Sequence, residues 1–77
     1  MANQQVDARG LTCPLPVLKL RKALKDVKPG QTVEMFATDP GTLGDVPHFC
    51  ETSGYELLES GSDEADAYRF VIRKAYT

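Results

Sequence analysis

The sequence contains few of the residues on which several classes of protein depend. It has two cysteines and one histidine among 77 residues, too few for a disulfide framework and too few alone for a four-ligand zinc site. It has no apolar run long enough to span a bilayer, and its first residues lack the basic and apolar regions of a signal peptide. We therefore expect a cytoplasmic protein with free thiols, no metal, no cofactor and no membrane partner.

The length of the chain limits it to one small domain. A chain of 77 residues buries a modest core and cannot enclose a deep substrate cavity. Its apolar fraction of 42% and charged fraction of 26% are ordinary, which favours a folded chain over a disordered one. We expect one domain over residues 1–77, present as a monomer.

The net charge of −2 hides an asymmetry between the two halves of the chain. Residues 1–38 hold six lysines and arginines against three acidic residues, whereas the remainder holds three against eight. The basic half is either a solvated helix face or a dock for acidic proteins or phosphates. The whole chain is acidic and has no basic stripe interleaved with aromatics, so we expect no direct nucleic-acid binding.

Hydrophobic periodicity predicts four strands and two helices. The predicted strands span residues 5–9, 31–38, 55–59 and 68–73. One helix is expected to begin at the Cys13–Pro14 pair and to end before Pro29, and a second is expected over 42–53. The inner face of that second helix is expected to carry Leu43, Val46 and Cys50. Pro47 is expected in a first helical turn, with Asp45 as the cap.

The order β-α-β-α-β-β predicts a two-layer sandwich of the α/β (α+β) class. Two helices are too few to cover both faces of a four-stranded sheet, so we place both on one face of a mixed sheet. The other face of the sheet is then polar and exposed. Residues 60–66 are acidic and contain glycine, and they predict the hairpin connection before the last strand.

Cys13 is the candidate reactive residue, because it stands where the first helix begins. A helix N-terminus favours the thiolate, and the basic residues of the same helix add positive potential. Pro14 and Pro16 shape the site by stiffening this junction, although neither has an amide to donate. The amides of Leu15 and Val17 are the donors expected near the sulfur. The sequence therefore predicts an exposed thiol with a pKa below that of free cysteine.

The rest of the chain offers Cys13 few partners for catalysis. A hydrolase needs a base and an orienting group, and a Cys13–His48 pair stays open but has no evident third member. There is no Cys-x-x-Cys motif and no Gly-rich phosphate loop. Cys50 is interpreted as a core residue, with a resolving thiol for Cys13 as the alternative. A lone exposed thiol is more typical of a carrier than of a self-sufficient enzyme.

A longer motif surrounds Cys13 and gives this chemistry a family context. Residues 7–16, Asp-Ala-Arg-Gly-Leu-Thr-Cys-Pro-Leu-Pro, resemble the Cys-Pro-x-Pro signature of the TusA/SirA family of small sulfur carriers. The resemblance continues through the landmarks at 28–30, 38–40, 45–47, 49–50 and 54 to the closing strand. It implies a two-layer sandwich in which Cys13 accepts sulfane sulfur as a persulfide. The implied donor is a cysteine desulfurase or a rhodanese, and the sulfur passes to an acceptor protein.

The resemblance leaves the sulfur acceptor open. Recipients in the family include the machinery of tRNA 2-thiouridine synthesis and enzymes of sulfur oxidation, but carriers of the tRNA type often have Glu where this chain has Leu15. Arg9, Lys19 and Lys22 are the candidate docking charges, with a solvated surface as the alternative. The alternative function is a regulatory or RNA- or protein-binding module without sulfur transfer. A selenium-handling or redox-sensing thiol is a further alternative.

Overall fold

Four strands and two helices follow one another in the predicted order. The structure, a computed structural model, describes residues 4–62 and 66–74. Its elements are β1 (Gln4–Ala8), α1 (Leu15–Asp26), β2 (Thr32–Ala37), α2 (Thr42–Ser53), β3 (Glu56–Ser62) and β4 (Tyr68–Arg73). In these two described ranges, neither helix is long and apolar enough to cross a bilayer.

The sheet is mixed, with the strand order β1-β2-β4-β3. β1 lies parallel to β2, with Val6 opposite Met35, and β4 runs antiparallel to both of its neighbours. A parallel pair needs a crossover connection, and α1 provides it. The carboxyl ends of β1 and β2 therefore meet at one edge of the sheet.

The core lies between the two helices and one face of the sheet. Along β1 and β2 every second side chain is buried, as the period of a strand requires. The buried strand side chains of this cluster are Val6, Ala8, Val33, Met35, Ala37, Phe70 and Ile72, and the helices contribute Leu20, Ala23, Leu24, Val46 and Cys50. Both helices thus pack on the same face, which confirms the predicted two-layer sandwich.

The opposite face of the sheet carries charged side chains, as predicted, but it is not fully exposed, because Val71 on this face is buried. The Arg69 guanidinium on β4 donates to Glu34 on β2 and to Glu59 on β3. Arg73 on β4 donates to Glu56 on β3 at 2.7 Å. Such cross-strand pairs each contribute about 0.2–1 kcal/mol. They hold the central strand β4 to its neighbours on the side that no helix covers.

Helix α2 corrects two expectations from the sequence. It starts at Thr42 and continues through Pro47, so Pro47 lies inside the helix and Asp45 is a first-turn residue instead of the cap. Leu43 is 44% exposed, because Thr42, four residues before the buried Val46, occupies the inner position. Pro47 has no amide hydrogen, so the carbonyl of Leu43, four residues earlier, receives no helical hydrogen bond. Leu43 is exposed, and water can reach this carbonyl.

The hairpin connection is shorter than the sequence predicts. β3 continues to Ser62, so the first part of the expected 60–66 connection is strand. The pairing of β3 with β4 is irregular between Leu57 and Glu59, which leaves Leu58 42% exposed. The acidic residues Asp63 and Glu64 of the expected connection lie outside the described residues.

Two leucines of α1 provide a matched test of this core. Leu24 is 0% exposed and Leu18 is 50% exposed. We expect Leu24→Ala to lower the free energy of unfolding by about 2–5 kcal/mol, because it removes buried carbon atoms and leaves a cavity. Leu18→Ala should change it by less than about 0.5 kcal/mol. Urea unfolding followed by circular dichroism measures both variants, and equal losses would contradict this placement of the helix.

Candidate functional site

The candidate site lies at the sheet edge where β1 and β2 end. Because these strands are parallel, the loop carrying Cys13 and the loop carrying Asp39 leave the sheet side by side. The amide of Gly10, a residue with φ of 82°, donates to Oγ1 of Thr38 at 2.9 Å. The amide of Cys13 donates to Oδ2 of Asp39, also at 2.9 Å. These two hydrogen bonds join the loops and fix the backbone that carries the thiol.

Asp39 also organises the start of α2. Its second carboxylate oxygen accepts a hydrogen bond from the amide of Gly41 at 3.2 Å. Its carbonyl accepts a hydrogen bond from Oγ1 of Thr42 at 2.6 Å. An aspartate that bonds the backbone two residues on is a common turn former. Asp39 therefore links the first turn of α2 to the amide of Cys13, a role that the sequence analysis did not assign.

The start of α1 places Cys13 immediately outside the helix. Pro14 is the N-cap residue, and Pro16 is buried in the first turn, where its missing amide removes no helical bond. The amide of Leu15 donates to the carbonyl of Thr12 at 2.9 Å. The expectation that this amide serves the sulfur is therefore wrong, because the turn before the helix uses it.

The exposed Cys13 thiol borders a shallow groove between the start of α1 and one side of α2. The groove has a volume of about 310 Å³ and is lined by Cys13, Pro14, Val17, Asp45, His48, Phe49 and Thr52. Four of these residues belong to α2: Asp45, His48, Phe49 and Thr52. Their spacing of three or four residues places them on one face of the helix. Cys13 and His48, whose pairing the sequence left open, thus share one groove.

Carboxylates dominate the electrostatics of Cys13. The interaction of the protonated thiol with the Asp45 carboxylate is the largest of the effects that raise the pKa of Cys13 above the ordinary 9.0. Desolvation and the negative charges of Asp45 and Asp39 raise this pKa further. The lowered thiol pKa expected from the helix N-terminus is therefore wrong, because Asp45, desolvation and Asp39 together raise the pKa of Cys13.

The predicted docking residues gather on the β1 side of α1. Lys19 and Lys22 line a separate groove beside β1, and Nζ of Lys19 donates to the backbone carbonyl of Asp7 at 2.6 Å. Arg9 pairs with the Asp7 carboxylate at 2.9 Å, and its hydrogen bonds lower the pKa of Asp7 to about 2. The three basic residues thus lie around β1, whereas the thiol groove is lined by α1 and α2.

Cys50 lies in the core, as predicted. It is 2% exposed and packs with the buried residues of the sheet. Burial raises the pKa of the Cys50 thiol to about 11. A protonated and buried thiol is a poor nucleophile. The two cysteines therefore differ in kind, and Cys13 is the one that other proteins can reach.

The site predicts a specific pH dependence for thiol alkylation. In Cys50→Ala, the rate of Cys13 alkylation by iodoacetamide should reach half of its maximum above pH 9.0, because Asp45 stabilises the protonated thiol. In Cys13→Ala, Cys50 should react only once denaturant is added, because the folded core excludes the reagent. Mass spectrometry measures both rates. A half-maximum below pH 9.0 in Cys50→Ala would show that the helix N-terminus, and not the nearby acids, dominates the pKa of the Cys13 thiol.

The described chain is similar to known proteins over nearly its full length. A family model described as Sulfurtransferase TusA matches residues 4–74. The sulfur carrier protein TusA of Allochromatium vinosum is 41% identical over 73 residues, which cover 95% of each chain. The sulfur carrier protein TusA of Pseudomonas aeruginosa is 45% identical over 69 residues, covering 90% of this chain and 86% of the relative.

A solved structure shows the same fold. The SirA-like protein from Desulfitobacterium hafniense matches with a TM-score of 0.83 and 23% identity, covering 94% of this chain and 97% of that chain. This agreement in fold accompanies the sequence identity to the two relatives and the match to the family model over residues 4–74. The chain therefore belongs to the TusA family of sulfurtransferases and sulfur carrier proteins.

Proposed function

We propose that Cys13 carries sulfur as a persulfide and relays it from a donor protein to an acceptor protein. One observation carries this proposal: Cys13 is exposed beside an open groove, whereas Cys50, the other cysteine, is buried. A sulfur carrier needs a thiol that two different proteins can reach in turn. Membership of a family whose relatives are named sulfur carrier proteins supports the same assignment.

The proposed transfer is an exchange of one sulfur–sulfur bond for another. The sulfur of Cys13 attacks the outer sulfur of a persulfide on the donor, and the donor cysteine leaves with the proton that Cys13 gives up. An acceptor thiol later attacks the outer sulfur on Cys13 and restores the Cys13 thiol. No oxidant or reductant is consumed, because the sulfane sulfur only changes its carrier.

The proposed partners are proteins, because the groove is too small and open to hold the chemistry alone. We propose a cysteine desulfurase or a rhodanese as the donor. The acceptor belongs to tRNA 2-thiouridine synthesis or to another route of sulfur trafficking. Pro14, which lines the groove, and Pro16, which is buried in the first turn of α1, hold Cys13 toward these partners. The carrier works as a single-domain monomer in the cytoplasm, where free thiols persist.

Arg9, Lys19 and Lys22 are proposed as docking charges for an acidic surface of a partner. They are grouped around β1, at one side of the helix whose start presents Cys13. Exposed charges act over about a Debye length, roughly 8 Å at physiological ionic strength. The three basic residues therefore guide the encounter with a partner, whereas the exchange of sulfur–sulfur bonds takes place in the thiol groove.

Intact-mass spectrometry tests the carrier function. The chain is incubated with a cysteine desulfurase and cysteine, and separately with a rhodanese and thiosulfate. We expect a gain of one sulfur atom that a reductant removes, because the product is a persulfide. The gain should persist in Cys50→Ser and vanish in Cys13→Ser. A gain that survives Cys13→Ser would place the sulfur elsewhere, and no gain with either donor would favour a binding module.

Charge reversal tests the docking residues. Lys22→Glu should slow sulfur loading from the donor at low salt, and the difference from wild type should disappear at high salt, where charges are screened. Lys28→Glu makes the same charge change outside the groove beside β1 and is the matched control. Loading kinetics measured by quenched mass spectrometry provide the rates. Equal slowing by both variants would show that only the net charge matters.

A further inference from the structure

The thiol groove contains a carboxylate that carriage of sulfur does not by itself require. Asp45 lines the groove together with Cys13, and its carboxylate favours the protonated form of the thiol. It lies in the first turn of α2. A negative group thus lies in the same groove as the one atom that would bear the transferred sulfur.

This inference rests on the proposed function of Cys13 as the sulfur carrier. We propose that Asp45 is a positioning residue for sulfur transfer, which binds the thiol proton of the unloaded carrier and repels the anionic outer sulfur of the loaded carrier. A persulfide is a stronger acid than a thiol, so the loaded carrier at neutral pH is negative and has no proton to donate to Asp45. The carboxylate therefore stabilises the unloaded state relative to the loaded state and favours handover.

The groups that face Cys13 from each side agree with this role. α2 presents Asp45 and His48 to the groove, and α1 presents the apolar Val17. The loop before α2 adds Asp39, whose negative charge acts on the thiol in the same direction as that of Asp45. Asp39 binds two backbone amides and so holds the loops, whereas Asp45 shares the groove with the thiol. Asp45 is thus the carboxylate whose removal changes charge at the sulfur with the least change to the loops.

The loading step balances with Asp45 in this role. The Cys13 thiol and a donor persulfide anion form a Cys13 persulfide anion and a donor thiol. One sulfur–sulfur bond forms and one breaks, and the proton held between Cys13 and Asp45 passes to the leaving donor thiolate. In handover, an acceptor thiol attacks the outer sulfur on Cys13, and an acceptor persulfide anion forms. The proton of the acceptor thiol returns to the Cys13–Asp45 pair. Asp45 itself is unchanged over the cycle.

A loading equilibrium measures the effect directly. Wild type, Asp45→Asn and Glu51→Gln are each equilibrated at one neutral pH with glutathione persulfide and glutathione at a fixed ratio. The loaded fraction is read by intact-mass spectrometry. We expect the loading constant of Asp45→Asn to rise about 5-fold, the size of a unit-charge repulsion across about 4 Å of water. Glu51→Gln removes one charge from α2 outside the groove and should match wild type.

A second readout separates positioning from a general effect on folding. The pH at half-maximal alkylation of Cys13 should fall in Asp45→Asn and stay at the wild-type value in Glu51→Gln. Asp45→Ser is a second neutral variant, and circular dichroism shows which variants are folded. If Cys13 loads equally in wild type and in the folded neutral variants, the proposed role of Asp45 is overturned and the carrier function of Cys13 stands. If Cys13 loads in none of them, the proposed function is overturned and this inference with it.

Discussion

The parallel pairing of β1 with β2 is the constraint on which the site depends. It forces the chain to cross back over the sheet through α1, so the loop that precedes α1 and the loop that follows β2 share one edge. The hydrogen bond from Cys13 to Asp39 then closes the gap between them. Buried residues such as Val6 and Met35 set the register of this pair, since a slip by one residue would turn them outward.

The two sides of α1 have separate proposed uses. The β1 side carries Arg9, Lys19 and Lys22, and the thiol groove carries Asp45 beside Cys13. A thiolate is the form that oxidants attack, so a thiol kept protonated is protected while it waits for a partner. The same carboxylate disfavours the loaded anion. The proposed role of Asp45 thus links resistance to oxidation with readiness to release sulfur.

The fold could be predicted from hydrophobic periodicity, because burial alternates along the strands and recurs at helical spacing. The position of Pro47 inside α2 could not be predicted in this way, since tertiary packing decides whether a helix continues through a proline. The sequence predicted an exposed thiol at Cys13, which the structure shows, but the direction of its pKa shift was predicted wrongly. That prediction used the local helix alone, whereas Asp39 and Asp45 reach the thiol through the fold. Two features of the sequence could have indicated these acids. The parallel pairing of β1 with β2 brings the loop of Asp39 beside Cys13, and the spacing of the lining residues on α2 places Asp45 on the face of the groove.

The most direct test of the central claim is a crystal structure of the sulfur-loaded protein. We predict electron density for one extra sulfur bonded to Sγ of Cys13. That sulfur should lie in the groove beside Val17 and Phe49 and point away from Asp45, because both are negatively charged. Extra sulfur on another residue would contradict the assignment of Cys13. An outer sulfur within hydrogen-bond distance of Asp45 would contradict the repulsion on which release depends.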